Sequence, residues 1–145
     1  MHKTFERLVP HSAAQMMALV ADVATYPDFI PHCERMEVRR SFDAPDTRFD
    51  ARMHIRFGPI AQSYTSRIEV NRDAATIRVR AVDGPFSHLD SMWRFTEGEA
   101  GTKIRFDIDF GIANPLIRTV AEPAFAAKQE EIIDAFVVEA KRRYG

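Results

Sequence analysis

From residue 34 to residue 112 the apolar and polar positions alternate with a period of two. In "FDARMHIRF", Phe49, Ala51, Met53, Ile55 and Phe57 share one face, with Asp50, Arg52, His54 and Arg56 on the other. Alternation of this kind marks strands that bury a single face. "MEVRRSF", "IAQSYTSRIEV", "TIRVRAV", "HLDSMWRF" and "TKIRFDIDF" repeat the scheme, so six meandering strands are predicted over this stretch. "GP" at 58 and 59 and the turn-rich "TEGEAG" separate neighbouring strands.

On either side of that stretch the pattern differs. "TFERLV" reads as a short first strand ended by Pro10. Ser12 offers a cap for "AAQMMALVADVA", where Met16, Leu19, Val20 and Val23 recur at helical spacing. Tyr26, Pro27, Phe29 and Pro31 then force a turn, because proline removes backbone donors and breaks a helix. The tail predicts a long helix with Asn114 as cap and Pro115 in its first position. Phe125, Gln129, Ile132, Ile133, Phe136, Val137, Ala140 and Tyr144 trace one face of it, and Lys141, Arg142 and Arg143 complement its dipole. Pro123 is expected to kink this helix or split off its first turns. An antiparallel sheet with one apolar face and a long amphipathic helix cover each other best when the sheet curls around the helix. The expected fold is α+β, a helix-grip.

At 145 residues the chain reads as a single domain, 1–145, large enough to bury about 70% of its unfolded surface. The net charge of −1 gives no overall attraction to nucleic acid. Cys33 is the one cysteine, which excludes an intramolecular disulfide and a CxxC metal or redox pair. "MHKTFERLVPH" lacks the apolar segment of a signal peptide, and no apolar run approaches the roughly 18 residues of a membrane span. A cytoplasmic protein is expected, with peripheral contact at the inner membrane face left open.

The inward positions of the later strands include Met53, Ile55, Phe57, Ile68, Val79, Leu89, Trp93, Phe95, Phe106 and Ile108. Tyr64, Ser66, Gln62 and Ser91 are the clear polar members, and none is a carboxylate or histidine. A paired general acid and base is therefore not visible. The set describes either a filled core or an apolar pocket suited to a lipid. His2, His11, His32, His54 and His88 are scattered without metal-ligand spacing, and no glycine-rich phosphate loop is present, so neither metal nor cofactor is expected. Cys33 beside His32 reads as a buried structural thiol. Arg52, His54, Arg56, Arg67, Arg78, Arg80, Arg94, Lys103 and Arg105 fall on the outward phase, interrupted by Glu69, Asp90, Asp107 and Asp109. Cross-strand ion pairs are the expected use of that face; contact with anionic head groups or RNA backbone is the alternative.

"ADVATYPDFIPHC" and "DGPFSHLDSMWRF", joined by a meander and closed by a long helix, resemble the ubiquinone-binding START-like proteins. These belong to the wider polyketide cyclase and lipid-transport superfamily, with START/Bet v 1-like folds, and the resemblance spans essentially the whole chain. Tyr26, Pro27, Phe29, Pro31 and Cys33 match the first motif; Gly84, Pro85, Phe86, His88, Leu89, Trp93 and Phe95 match the second. His32 stands where relatives often carry tryptophan. The resemblance implies a non-enzymatic binder of ubiquinone or a similar polyisoprenoid lipid, supporting respiratory electron transport. A ribosome-association toxin branch implies a ribosomal subunit as the alternative partner, and a polyketide cyclase or dehydratase is least favoured. The implied ligand-binding residues are Tyr26, Phe29, Met53, Ile55, Phe57, Tyr64, Ile68, Phe86, Leu89, Trp93, Phe125, Ile132 and Phe136. On this reading the aromatic–proline turn is a lid at one end of a tunnel, opposed by the "GPF" turn at 84–86. A domain of this size has a radius of gyration of about 15 Å, so a long tail must fold, protrude or be shared with a second copy, the oligomeric state being left open.

Overall fold

The structure, a computed structural model, describes residues 1–57 and 59–145, with the side chains of Phe57 and Ile60 outside the description. The expected turn at Gly58 and the expected pocket role of Phe57 therefore lie outside the described residues. The chain runs β1 (His2–Val9), α1 (Ala13–Ala21), a 3-10 turn (Val23–Asp28), β2 (Cys33–Arg40), β3 (Arg48–Phe57), β4 (Ile60–Asn71), β5 (Thr76–Ala81), β6 (Phe86–Gly98), β7 (Gly101–Ile112) and α2 (Arg118–Tyr144). The strands form one seven-stranded antiparallel sheet in the order β1-β7-β6-β5-β4-β3-β2. The meander is as the alternation predicts, and β1 returns to close its far edge against β7.

Register carries the pattern across the sheet. Met53 pairs with Tyr64, Ile68 with Val79, Ile77 with Trp93, and Trp93 with Phe106, so one face is apolar from β3 to β7. The α2 helix lies on that face. Phe136 packs edge-on against Trp93 at 5.3 Å, and the Phe125 ring lies tilted against Phe110 at 4.8 Å. Arg7, on the edge strand β1, fixes the helix by bonding Asp134 at 3.0 Å. At the other end of the helix, Tyr144 donates to the Gln15 carbonyl of α1 at 3.2 Å. Ser12 caps α1 in a capping box: its hydroxyl accepts from Gln15 N, and the Gln15 side chain accepts from Ser12 N.

The start of α2 departs from expectation. Asn114 does not cap it; its side chain instead accepts from Leu116 N at 3.0 Å, a local turn across Pro115. The helix begins three residues later, at Arg118. Side chains of its first turns secure the end of β7: Glu122 accepts from Ile112 N at 2.9 Å, and Arg118 donates to Ile112 O at 3.0 Å. Nor does Pro123 split the helix, which is continuous through it. Proline so near the N-terminus forfeits one intrahelical bond, while Ala121 N still donates to Ile117 O at 2.8 Å.

Candidate functional site

The sheet and α2 do not close completely on each other. An inner chamber of about 100 Å³ lies between them, walled on the sheet side by Met53, Tyr64, Ile68, Leu89 and Trp93. Its helix side is Phe125, Ile132 and Phe136, and Tyr26 stands at its end. A second, outer space of about 360 Å³ is bounded by Ile55, Gln62, Tyr64, Pro85, Phe86, Ile112, Ala121, Ala124, Phe125 and Lys128. A gap of about 30 Å³, room for about one water, shares walls with both. Tyr64 and Phe125 line all three.

Three rings form the partition. Phe86 meets Tyr64 edge-on at 5.1 Å and Phe125 at 5.1 Å. The turn before Phe86 depends on Gly84, which has φ +103° and would bring a Cβ to 2.5 Å from the Tyr64 Cβ. Any side chain there is strained and pushes the turn away from β4.

The opposite end is plugged. Tyr26 donates its hydroxyl to the Val20 carbonyl. Tyr26, Phe29 and Phe136 pack edge-on, with centroids 5.3–6.0 Å apart. Arg143 lies over the Phe29 ring at 5.7 Å, bonds Thr25 at 3.0 Å and bonds Glu139 at 2.7 Å. Glu139 is itself buried among cationic partners: Arg142 and Arg143 hold its carboxyl down at about 2.

The expected ligand-facing residues thus fall into three groups. Tyr26, Met53, Tyr64, Ile68, Leu89, Trp93, Phe125, Ile132 and Phe136 come together around the inner chamber, and Ile55 and Phe86 around the outer space. Phe29 is corrected: it packs behind Tyr26 and Phe136 and is absent from the described walls, while its neighbour Ile30 faces the chamber. Between two prolines the turn has no periodicity, so the sequence could not say which of the two apolar neighbours points inward. Ser66, Ser91 and Gln129 also line the chamber. Strand parity and the helical stripe put all three inward, but a polar side chain on an inward phase does not by itself mark a pocket wall.

The described lining of the inner chamber holds no carboxylate, imidazole or ammonium group. Burial pushes the Tyr64 phenol up to about 12 and raises Tyr26 further, so both remain protonated hydrogen-bond donors. Burial likewise pushes the Cys33 thiol up to about 11, away from the reactive thiolate. Among the described residues no group of three or more His, Cys, Asp or Glu side chains could hold a metal ion. The chamber can enclose an apolar body and hydrogen-bond to it.

On the convex face the cations are matched by acids. Arg67 bonds Asp50 at 3.1 Å, Arg78 bonds Asp90 at 2.7 Å, Arg80 bonds Glu69 at 2.8 Å, and Arg94 and Arg105 share Asp107. Such exposed pairs contribute little to stability, but they break any continuous positive field.

Comparison with known proteins agrees with this architecture. The chain is 32% identical over 139 residues to the ribosome association toxin RatA of Pseudomonas aeruginosa, covering 95% of this chain and 94% of that one. It is 33% identical over 146 residues to the mitochondrial coenzyme Q-binding protein COQ10 homolog B of Xenopus laevis, covering 96% of this chain and 57% of that one. The crystal structure of the Zhui aromatase/cyclase from Streptomyces sp. R1128 superposes with a TM-score of 0.88 over 100% of this chain and 96% of that one, at 20% identity, a likeness of fold. Residues 9–137 match the family model described as polyketide cyclase / dehydrase and lipid transport. A curved seven-stranded sheet gripping a C-terminal helix over an apolar chamber, with that match along most of the chain, makes this protein a member of the polyketide cyclase / dehydrase and lipid transport family.

Proposed function

We propose that the protein binds a lipid with a planar ring and a polyisoprenoid tail, of the ubiquinone class, and acts as its carrier in support of respiratory electron transport rather than as an enzyme. The observation that carries this reading is the pair of apolar spaces meeting at Tyr64, Phe86 and Phe125. The outer space alone is within the 300–1,000 Å³ usual for ligand sites, and its exposed lining is wholly apolar. The absence of an acid or base from the described inner walls speaks for binding over turnover.

Access to a membrane fits the same geometry. Leu116, Ile117 and Val120 are 91%, 50% and 78% exposed, immediately before the helix residues that line the outer space. Three aliphatic side chains held in water at one site are suited to an apolar interface. Among the described residues no helix is long and apolar enough to cross a membrane, so the contact is peripheral. A tail of many isoprene units exceeds both spaces and protrudes there, into the bilayer or against a second copy.

The name of the bacterial relative supplies a second reading, binding to a ribosomal subunit. The paired charges of the convex face weigh against it, since RNA backbone contact draws on uncompensated cations. Organic extraction of the purified protein followed by mass spectrometry is the test. A quinone recovered in near-stoichiometric amount is expected. A lipid-free protein that rejects added quinone and co-sediments with ribosomal subunits would overturn the lipid reading in favour of the second.

A further inference from the structure

The inner chamber and the outer space differ in kind, and the difference gives the ligand a direction. We infer that the carbonyl-bearing ring enters the inner chamber while the tail leaves through the outer space: head inward, tail outward. This rests on the lipid-binding reading above and deepens it.

Exposed polar surface lies where a ring would need it: Gln62 and Lys128 border the outer space, but no polar atom is exposed to it. Tyr64, Ser66, Ser91 and Gln129 face the inner chamber, whereas the exposed lining of the outer space is wholly apolar. A quinone carbonyl only accepts hydrogen bonds, so it needs donors, and burying it without them is costly. In the opposite orientation both carbonyls would lie against Phe86, Ile112 and Ala121, on a lining that exposes no polar atom to them.

Not every donor is equally available. Ser91 donates to the Val79 carbonyl at 3.2 Å, and Tyr26 to the Val20 carbonyl. Tyr64 instead donates to the Met53 thioether, at 3.8 Å. Thioether sulfur is a weak acceptor, so a ligand carbonyl is the better partner for this hydroxyl. Met53 is also the flexible member of the wall, an unbranched side chain able to move as the hydroxyl changes partner. The phenol stays protonated well above neutral pH, so the donor is present at any working pH.

Shape points the same way. The Tyr26–Phe29–Phe136 plug, clasped by Arg143, makes the inner chamber a dead end. A dead end of about 100 Å³ cannot take a long tail, and it takes a ring only by enlarging. Enlargement falls to Phe125. Across the partition, Phe86 and Tyr64 are fixed to each other by the tight approach at Gly84. Phe125 sits on α2 two residues after Pro123, half-buried, and borders both spaces. Its displacement fuses them into one pocket of ordinary ligand size.

The test compares two probes on two variants, Tyr64→Phe and Gln129→Leu. One probe is a benzoquinone with a ten-carbon tail, followed by quenching of Trp93, the single tryptophan and an inner-chamber wall. The other is a ringless hydrocarbon of the same tail length, followed by displacement of an apolar fluorescent dye. Each variant is expected to weaken the quinone by about three- to tenfold, the usual worth of one hydrogen bond, and to leave the hydrocarbon within about twofold. Because Gln129 is on α2 and Tyr64 on β4, a folding defect in one variant leaves the other informative. Unchanged quinone affinity in both folded variants, or equal weakening of both probes, would overturn the head-inward orientation. A wild-type protein that binds neither probe would remove the lipid reading itself, and the orientation with it.

Discussion

Removing the Phe136 ring tests whether the inner chamber is part of the protein's stability as well as of its binding site. Phe136 is 2% exposed and meets Tyr26, Phe29 and Trp93 edge-on at 5.3–5.4 Å, with its remaining side toward the chamber. A fully enclosed Phe→Ala change costs about 3–5 kcal/mol, and each aromatic pair adds about 0.5–1.5 kcal/mol beyond its area. Here one side of the ring already borders empty space, which forfeits part of the dispersion energy that a filled core would supply. Phe136→Ala is therefore expected at the low end, about 3 kcal/mol. At roughly 2–4 °C per kcal/mol for a chain of this size, the melting temperature drops by about 10 °C. Urea unfolding gives the free energy directly, and quinone quenching of Trp93 gives the affinity, expected to fall severalfold. A loss below about 1 kcal/mol would refute the wedged placement of the ring. A full stability loss with unchanged quinone affinity would refute the chamber as the binding site.

Three further perturbations separate the parts of the site. Phe29→Ser removes a ring that packs behind the chamber, so apo stability should fall by about 2 kcal/mol in urea unfolding while quinone affinity stays within about twofold. Glu139 has its carboxyl pKa depressed to about 2 by hydrogen bonds from Arg142 and then Arg143. Its contribution is thus complete above the ordinary value near 4.5 and is lost as pH falls from there towards 2. Allowing for the exposure of Arg142, that loss is about 1–2 kcal/mol, and thermal melts at pH 7, 4 and 3 should show it in the wild type and not in Glu139→Gln. A double change, Leu116→Glu with Val120→Glu, should leave stability within about 0.5 kcal/mol, because both side chains are exposed. The same variant should take up quinone from phospholipid vesicles severalfold more slowly, as stopped-flow quenching would record.

Period-two alternation made the sheet legible residue by residue, because a pleated strand with one buried face leaves no other choice of phase. The stripe from Phe125 to Tyr144 likewise placed α2 against that sheet. The start of the helix differs from expectation because Asn114 and Pro115 are equally good signals for a turn, and the bonds that decide the matter are made by the Arg118 and Glu122 side chains to the Ile112 backbone, which no capping pattern announces. Of the kink or split expected at Pro123, the split does not occur, because a proline this near the N-terminus forfeits one intrahelical bond and the helix runs on through it. Phe29 was misplaced because direction inside a proline-bounded turn is set by what packs against it, here Arg143 from the far end of the chain. The division into two spaces was not legible at all. It depends on three rings from β4, β6 and α2, and on the close approach at Gly84, none of which leaves a local pattern.

The central claim is that an apolar ring-and-tail lipid occupies the space between the sheet and α2. Titrating a short-tailed benzoquinone into the lipid-free protein, with the fluorescence of Trp93 as the readout, tests it most directly. Trp93 is 5% exposed and lines the inner chamber, so a quencher in bulk water cannot reach it. Saturable quenching at micromolar quinone, reversed by a competing isoprenoid quinone and unmatched by a water-soluble quencher, is the predicted result. Linear, non-saturating quenching no stronger than that of the water-soluble agent would contradict the account.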